Sequence, residues 1–164
     1  MRFFLVDRII DLKENDRIDG IKSWTFTDEI FQDHFPGNPV VPGVLLLESM
    51  AQLLGILINR SYPGCFPEKS EEVFAVLSLV HKASFHKFVI PGDQTRIIGD
   101  LGTIDTLRAS GKARIEVDGE LRARSELSFV LIPRSQLMDD AVIEQQNRYF
   151  KMLTQGIPAD SESN

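Results

Sequence analysis

Residues 44–58 read VLLLESMAQLLGILI, and no other stretch restricts the fold of this chain as strongly. The run is rich in strong helix formers and too long for an ordinary strand, so it predicts a helix. Its apolar side chains fall on every side of that helix rather than along one stripe, the pattern of a helix enclosed all round by protein or by lipid. Protein is the better enclosure. The stretch barely reaches membrane-spanning length and carries Glu48 and Gln52 near its middle, two polar groups that hydrocarbon would leave unsatisfied.

Strands surround it in sequence. From 106 to 117 the chain alternates, with Ala109, Gly111, Ala113, Ile115 and Val117 on one face and Arg108, Ser110, Lys112, Arg114 and Glu116 on the other. Asp118-Gly119 is a two-residue hairpin signal, after which Leu121, Ala123, Ser125, Leu127, Phe129 and Leu131 share one face of a second strand. Further strand candidates lie at 3–10, 20–26, 73–85 and 95–101. Antiparallel strands around one all-apolar helix make an α+β arrangement. Between 135 and 154, Met138, Val142, Tyr149 and Leu153 recur at near-helical spacing, which predicts an amphipathic C-terminal helix. The polar tail from Pro158 onward is expected to be disordered. Residues 61–72, with Tyr62-Pro63-Gly64-Cys65-Phe66-Pro67 inside them, look like an inserted loop. At 164 residues one core is expected, as a domain over 1–133 followed by an extension over 134–164.

The formal net charge of -6, with no Lys or Arg tract, argues against nucleic-acid binding. Arg2, Asp7 and Arg8 interrupt the apolar opening Phe3-Phe4-Leu5-Val6, so no secretory signal is indicated and a cytoplasmic location is expected. The single Cys65 cannot form an internal disulfide and has no metal-ligand partner nearby in sequence. No phosphate-cradling glycine loop and no Cys or His cluster points to a cofactor or a metal.

The chemistry concentrates just before the apolar helix. His34-Phe35-Pro36-Gly37-Asn38-Pro39-Val40-Val41-Pro42-Gly43 holds three prolines and two glycines, a conformationally restricted loop able to fix an imidazole in one place. Glu48 and Gln52 stand one helical turn apart, so they share a side of the helix and the Gln52 amide can orient the carboxyl group. An ionised carboxylate is costly to bury, and a raised pKa that keeps the group neutral is the usual escape. Taken alone, Glu48 reads as a structural carboxylate that pairs locally, and His34 as a hydrogen-bonded structural histidine. Together, with the loop between them, they read as an acid and a base. Gly43 and Val44 open the helix, where free N–H groups and the helix dipole favour negative charge.

His34-Phe35-Pro36-Gly37, Pro39-Val40-Val41-Pro42-Gly43-Val44-Leu45 and Glu48-Ser49-Met50-Ala51-Gln52 closely resemble the signature of the 3-hydroxyacyl-[acyl-carrier-protein] dehydratases of type II fatty acid synthesis, the FabZ type. A second match comes from Phe88-Val89-Ile90-Pro91-Gly92-Asp93-Gln94, and the resemblance runs on through Gly111-Lys112-Ala113 and Val117-Asp118-Gly119-Glu120 to about Ile132. It implies the hotdog fold, in which an antiparallel sheet wraps a long central helix, and a homodimer or trimer of dimers with active sites between subunits. The implied reaction converts a (3R)-3-hydroxyacyl thioester into a trans-2-enoyl thioester. The substrate rides on the phosphopantetheine of an acyl carrier protein, with no other cofactor. His34 and Glu48 are the implied catalytic pair, drawn from opposite subunits, with the Gly43 and Val44 amides on the thioester oxygen and Gln52 orienting Glu48. Glu48 favours dehydration alone, because family members that also isomerise carry Asp there. A hotdog thioesterase and a noncatalytic acyl-thioester binding protein are the competing functions. Acyl carrier proteins are acidic as a class, which makes Arg60, Lys82, Lys87 and Arg96 candidates for a docking patch. His81, His86 and Asp93 are expected to be structural, Asp93 as the shaper of its turn.

Overall fold

The computed structural model of the chain describes residues 3–69, 71–155 and 157. Six strands form one antiparallel sheet: β1 (Arg8–Lys13), β2 (Arg17–Ser23), β3 (Val73–Phe85), β4 (Gln94–Ile104), β5 (Arg108–Val117) and β6 (Glu120–Pro133). Their spatial order is β1-β2-β4-β5-β6-β3, so β3 is an edge although it comes third in the chain. A short helix, α1 (Ile30–Asp33), precedes the restricted loop, and the long α2 (Gly43–Cys65) follows it. After β6 come α3 (Arg134–Leu137) and α4 (Asp140–Leu153).

The sheet wraps α2 because three strands leave room for it. A Cβ at Gly111 on β5 would stand 2.8 Å from Leu54 Cδ2, one at Gly99 on β4 would stand 3.0 Å from the same atom, and one at Gly20 on β2 would stand 2.8 Å from Leu53 Cδ1. These glycines form a trough into which the middle of α2 sinks. Leu53, Leu54, Leu57 and Ile58 are fully enclosed there, each worth roughly 1.5–3 kcal/mol on burial. The apolar helix is the core helix of this sheet.

The hairpin and the two strand faces follow the sequence pattern. Asp118 and Gly119 both take positive φ, 52° and 78°, as a type I′ turn requires, and Ala109, Gly111, Ala113, Ile115 and Val117 are buried. The strand expected at 73–85 is β3 with the same limits, and 95–101 lies within β4. The other two shift. The strand expected at 3–10 starts only at Arg8, because the Leu5 amide is taken by the Gln52 side chain instead of a sheet partner, and β2 begins three residues before 20.

Two expectations need correction. The helix does not stop at 58 and give way to a loop. It runs through Pro63 to Cys65, held by the buried Ser61 and Tyr62 and capped by Phe66 N–H on the Tyr62 carbonyl at 3.0 Å. Ser61 Oγ also accepts from the Asn15 amide at 2.8 Å. The C-terminal helix is two helices, divided where Asp139 caps α4 by accepting from the Val142 amide at 2.9 Å. The tail from Pro158, expected to be disordered, lies outside the described residues.

Candidate active site

Pro36 and Gly37 sit at the second and third positions of a tight turn closed by Asn38 N–H on the Phe35 carbonyl at 2.9 Å, and Gly37 has φ +79°. Proline followed by a glycine at positive φ is the residue pattern of a type II turn. That turn brings Val40 back to His34 twice. Val40 N–H donates to the His34 carbonyl at 2.9 Å, and His34 Nδ1 lies 3.0 Å from the Val40 carbonyl. A carbonyl oxygen only accepts, so Nδ1 carries the hydrogen. In the neutral ring Nε2 is then the free base. Stacking on Phe35, ring centroids 4.0 Å apart, holds the ring from its face.

The loop joins α2 at Gly43. Leu45 and Leu46 are the first amides to reach a helical carbonyl, both on Pro42, which leaves the Gly43 and Val44 N–H groups at the open end of the helix. The edge of Phe85 lies against Gly43: a Cβ there would stand 3.2 Å from the ring. Val44 is 70% exposed.

One turn further on, Glu48 is half-buried and accepts from Gln52 Nε2 at 2.9 Å. Gln52 has no choice of orientation. Its Oε1 accepts the Leu5 amide at 2.8 Å and its Nε2 donates to the Phe3 carbonyl at 3.2 Å, so the NH2 end must face Glu48. Glu48 and Gln52 open into a cavity of about 590 Å³ between α2, β3 and α4, walled largely by apolar side chains including Ile56, Phe74, Leu77 and Phe150. His34 is not among the residues lining it. Within one chain, and among the described residues, no hydrogen bond or ion pair joins His34 to Glu48.

The remaining candidates divide. Arg60 pairs with Glu14 at 3.1 Å and lies over the Phe150 ring at 4.9 Å, Lys87 pairs with Glu120, and Arg96 pairs with the buried Asp19. Lys82 stands exposed on β3 at a second hollow on the sheet, where Arg124 is also exposed and Lys112 and Arg114 pair with the Glu126 and Asp100 that line it with them. His81 is exposed and bonded to Ser128 at 2.7 Å, His86 is exposed, and Asp93 accepts the Ile90 amide at 3.0 Å in its turn. Cys65 is half-buried and donates to Asn15 Oδ1 at 2.9 Å, and burial pushes its thiol above the ordinary range. Among the described residues no three His, Cys, Asp or Glu side chains gather as a metal site. Phe85 against Gly43 and the α4 wall of the cavity escaped the sequence reasoning. The spacing of Met138, Val142, Tyr149 and Leu153 was the signal that this segment packs on something, and the last three of them line the cavity.

The model of the FabA-like domain family matches residues 1–124. The chain is 36% identical over 132 residues to the 3-hydroxyacyl-[acyl-carrier-protein] dehydratase FabZ of Bacillus pumilus, covering 80% of this chain and 88% of that protein. It is 38% identical to the FabZ of Rickettsia bellii over 136 residues, with 81% and 88% covered. It is also 38% identical to the FabZ of Caldicellulosiruptor saccharolyticus over 131 residues, with 79% and 88% covered. Among solved structures, the dehydratase heterocomplex ApeI:P of Xenorhabdus doucetiae superposes with a TM-score of 0.56 at 16% identity, covering 74% of this chain and 96% of that one. A hypothetical thioesterase protein with coenzyme A from Streptococcus pneumoniae gives 0.59 at 12% identity, with 77% and 85% covered. Those two likenesses fix the hotdog fold alone. The sequence matches go further: the chain belongs to the FabA-like family, among its FabZ-type 3-hydroxyacyl-[acyl-carrier-protein] dehydratases, and is a hydro-lyase.

Proposed function

We propose that a homodimer of this chain dehydrates (3R)-3-hydroxyacyl thioesters, with His34 of one protomer and Glu48 of the other acting on the same substrate. The observation that carries this mechanism is the fixed tautomer of His34: a ring whose Nδ1–H is committed to Val40 presents a lone pair at Nε2 and nowhere else. Nε2 removes the proton from the carbon next to the thioester. That proton is only weakly acidic, so the negative charge growing on the thioester oxygen needs donors, which the Gly43 and Val44 amides supply. Gln52 occupies Glu48 Oε1, which leaves Oε2 to carry the proton of a neutral carboxyl and to deliver it to the departing hydroxyl. Water leaves, and a trans double bond forms between the second and third carbons.

The second subunit is needed because one chain leaves its catalytic groups unjoined and its apolar surface open. The outer edge of β3 has no partner strand among the described residues. Leu79, Val80 and Phe85 on β3 are exposed, as are Phe35 and Phe88 near the loop. An edge strand with that surface is a template for pairing with another strand. The substrate arrives on an acyl carrier protein, an acidic partner to which the exposed Lys82 and Arg124 offer positive charge, while Lys112 and Arg114 in the same hollow already pair with Glu126 and with Asp100 and Glu116.

The test is turnover of 3-hydroxyacyl carrier-protein thioesters, followed in both directions by mass spectrometry, for the native chain, His34→Ala and Glu48→Gln. Loss of turnover in both variants with an unchanged circular dichroism spectrum supports the assignment. Near-native dehydration by either would sink it.

A further inference from the structure

The cavity that opens at Glu48 continues past the part of the chain that the FabA-like family covers, which ends at residue 124. α4 and Arg134 at the start of α3 belong to its walls: Tyr149 of α4 stacks on Phe4, whose neighbours Phe3 and Leu5 bond Gln52, and Phe150 lies against Arg60 further along α2. From Glu48 to Asn59, α2 lines it along one face for about 16 Å at the ~1.5 Å rise of a helix, room for a tail of about twelve carbons beyond the reacting one. Gly55 lies at the midpoint. A Cβ there would come into van der Waals contact with the Ala75 carbonyl oxygen at 3.9 Å, so a side chain at this position would fill the gap between α2 and β3.

The far end is different in character. Arg134 Nη1 reaches Glu72 at 3.1 Å and Asn147 at 3.2 Å, while its buried Nε has no partner among the described residues. Arg60 lies over Phe150 beside them. We propose that α4, with the Arg134–Glu72 pair against its middle turn, closes this cavity and sets the longest acyl chain the enzyme accepts, with Gly55 keeping the bore open at its midpoint. The proposal rests on the dehydratase mechanism at the Glu48 end. Each methylene that enters the apolar half gains roughly fourfold in affinity. A chain long enough to touch Arg134, Glu72 and Asn147 must strip water from groups it cannot pair with, and the gain reverses.

The experiment compares kcat/KM for C4, C14 and C18 3-hydroxyacyl carrier-protein substrates in the native chain, Gly55→Leu and Phe150→Ala. The native chain should favour C14 over both C4 and C18. Gly55→Leu should lower the C14 to C4 ratio at least tenfold, and Phe150→Ala should raise the C18 to C14 ratio at least fivefold. Gly55→Ala, which adds only the Cβ, should shift the first ratio the same way by less, and it decides the point if the leucine variant does not fold. Ratios unchanged in every variant overturn the proposal. Should the native chain dehydrate none of the three, the catalytic mechanism fails separately, and binding of unreactive tetradecanoyl pantetheine by calorimetry decides the cavity. Binding weakened at least tenfold by Gly55→Leu, or by Gly55→Ala in its place, upholds it; no binding, or binding unaffected by the substitution, overturns it.

Discussion

The two halves of α2 do different work on one continuous scaffold. Around its first turns the imidazole and the amide are each held from two or more directions: His34 by the Val40 carbonyl and Phe35, Gln52 by Leu5, Phe3 and Glu48. Around its second half the helix offers space, with a missing side chain at Gly55 and a wall contributed by the separate helix α4. Chemistry needs fixed atoms, and binding an apolar tail needs a shaped void. A single buried helix satisfies both because its two ends face different neighbours.

The sharpest test of that division is also the largest effect. His34→Ala and Glu48→Gln should each cut turnover about a hundredfold to ten-thousandfold, the usual cost of losing a general base or acid, and should do so equally for short and long acyl chains. A loss confined to long chains would place His34 or Glu48 in the binding half and dissolve the distinction. Gln52→Ala is expected next. It strands the Leu5 amide and frees Glu48 Oε1, so stability should fall by about 1–3 kcal/mol in urea titration, and kcat should fall while KM holds, because the carboxyl is no longer kept in one orientation. A stability loss with an unchanged kcat would make Gln52 an anchor for the N-terminal segment and nothing more.

Gly43→Ala comes third. Its Cβ would press on the Phe85 ring at 3.2 Å, tight enough that the exposed ring must give way. Overpacking at a buried site costs about 1–3 kcal/mol, and less where the neighbour can move. The expected outcome is a melting temperature within a few degrees of native and a kcat reduced about tenfold, because the same crowding sits over the amides proposed to face the thioester oxygen. An unchanged kcat would remove those amides from the site.

The two halves were also unequally legible. The binary pattern of residues 108–117 and the Asp118-Gly119 turn determine two strands and their hairpin through local rules, and the restricted loop announces a held histidine through proline and glycine alone. The Glu48–Gln52 bond follows from helical spacing. The second half escapes such rules. Pro63 and Gly64 look like a loop, yet burial of Ser61 and Tyr62 carries the helix through them, a tertiary effect that overrides propensity. The trough of Gly20, Gly99 and Gly111 is spread over three strands, and the Arg134–Glu72 pair joins residues 62 apart in the chain. Neither has a local signature.

The smallest expected effect lies at the last residue of α2. Cys65 is about 25 Å from Glu48 along a helix rising ~1.5 Å per residue. Burial raises its thiol pKa, and only the thiolate is nucleophilic, so at neutral pH it should react with iodoacetamide more slowly than a free cysteine. The rate should rise about tenfold per pH unit and keep rising at pH values where a free thiol has levelled off. The sign for stability follows from the same shift. A pKa higher in the folded than in the unfolded chain stabilises while the thiol is protonated in both, and that contribution is lost as the pH climbs through the folded value. Intact-mass labelling between pH 6 and 10 checks the first point and urea titration over the same range the second, and turnover of a short acyl substrate is then measured on the labelled protein. Labelled protein should retain at least half its turnover. If a carboxamidomethyl group at the far end of α2 abolishes it, the two halves of the helix are mechanically coupled, and the separation of chemistry from binding along its length does not hold.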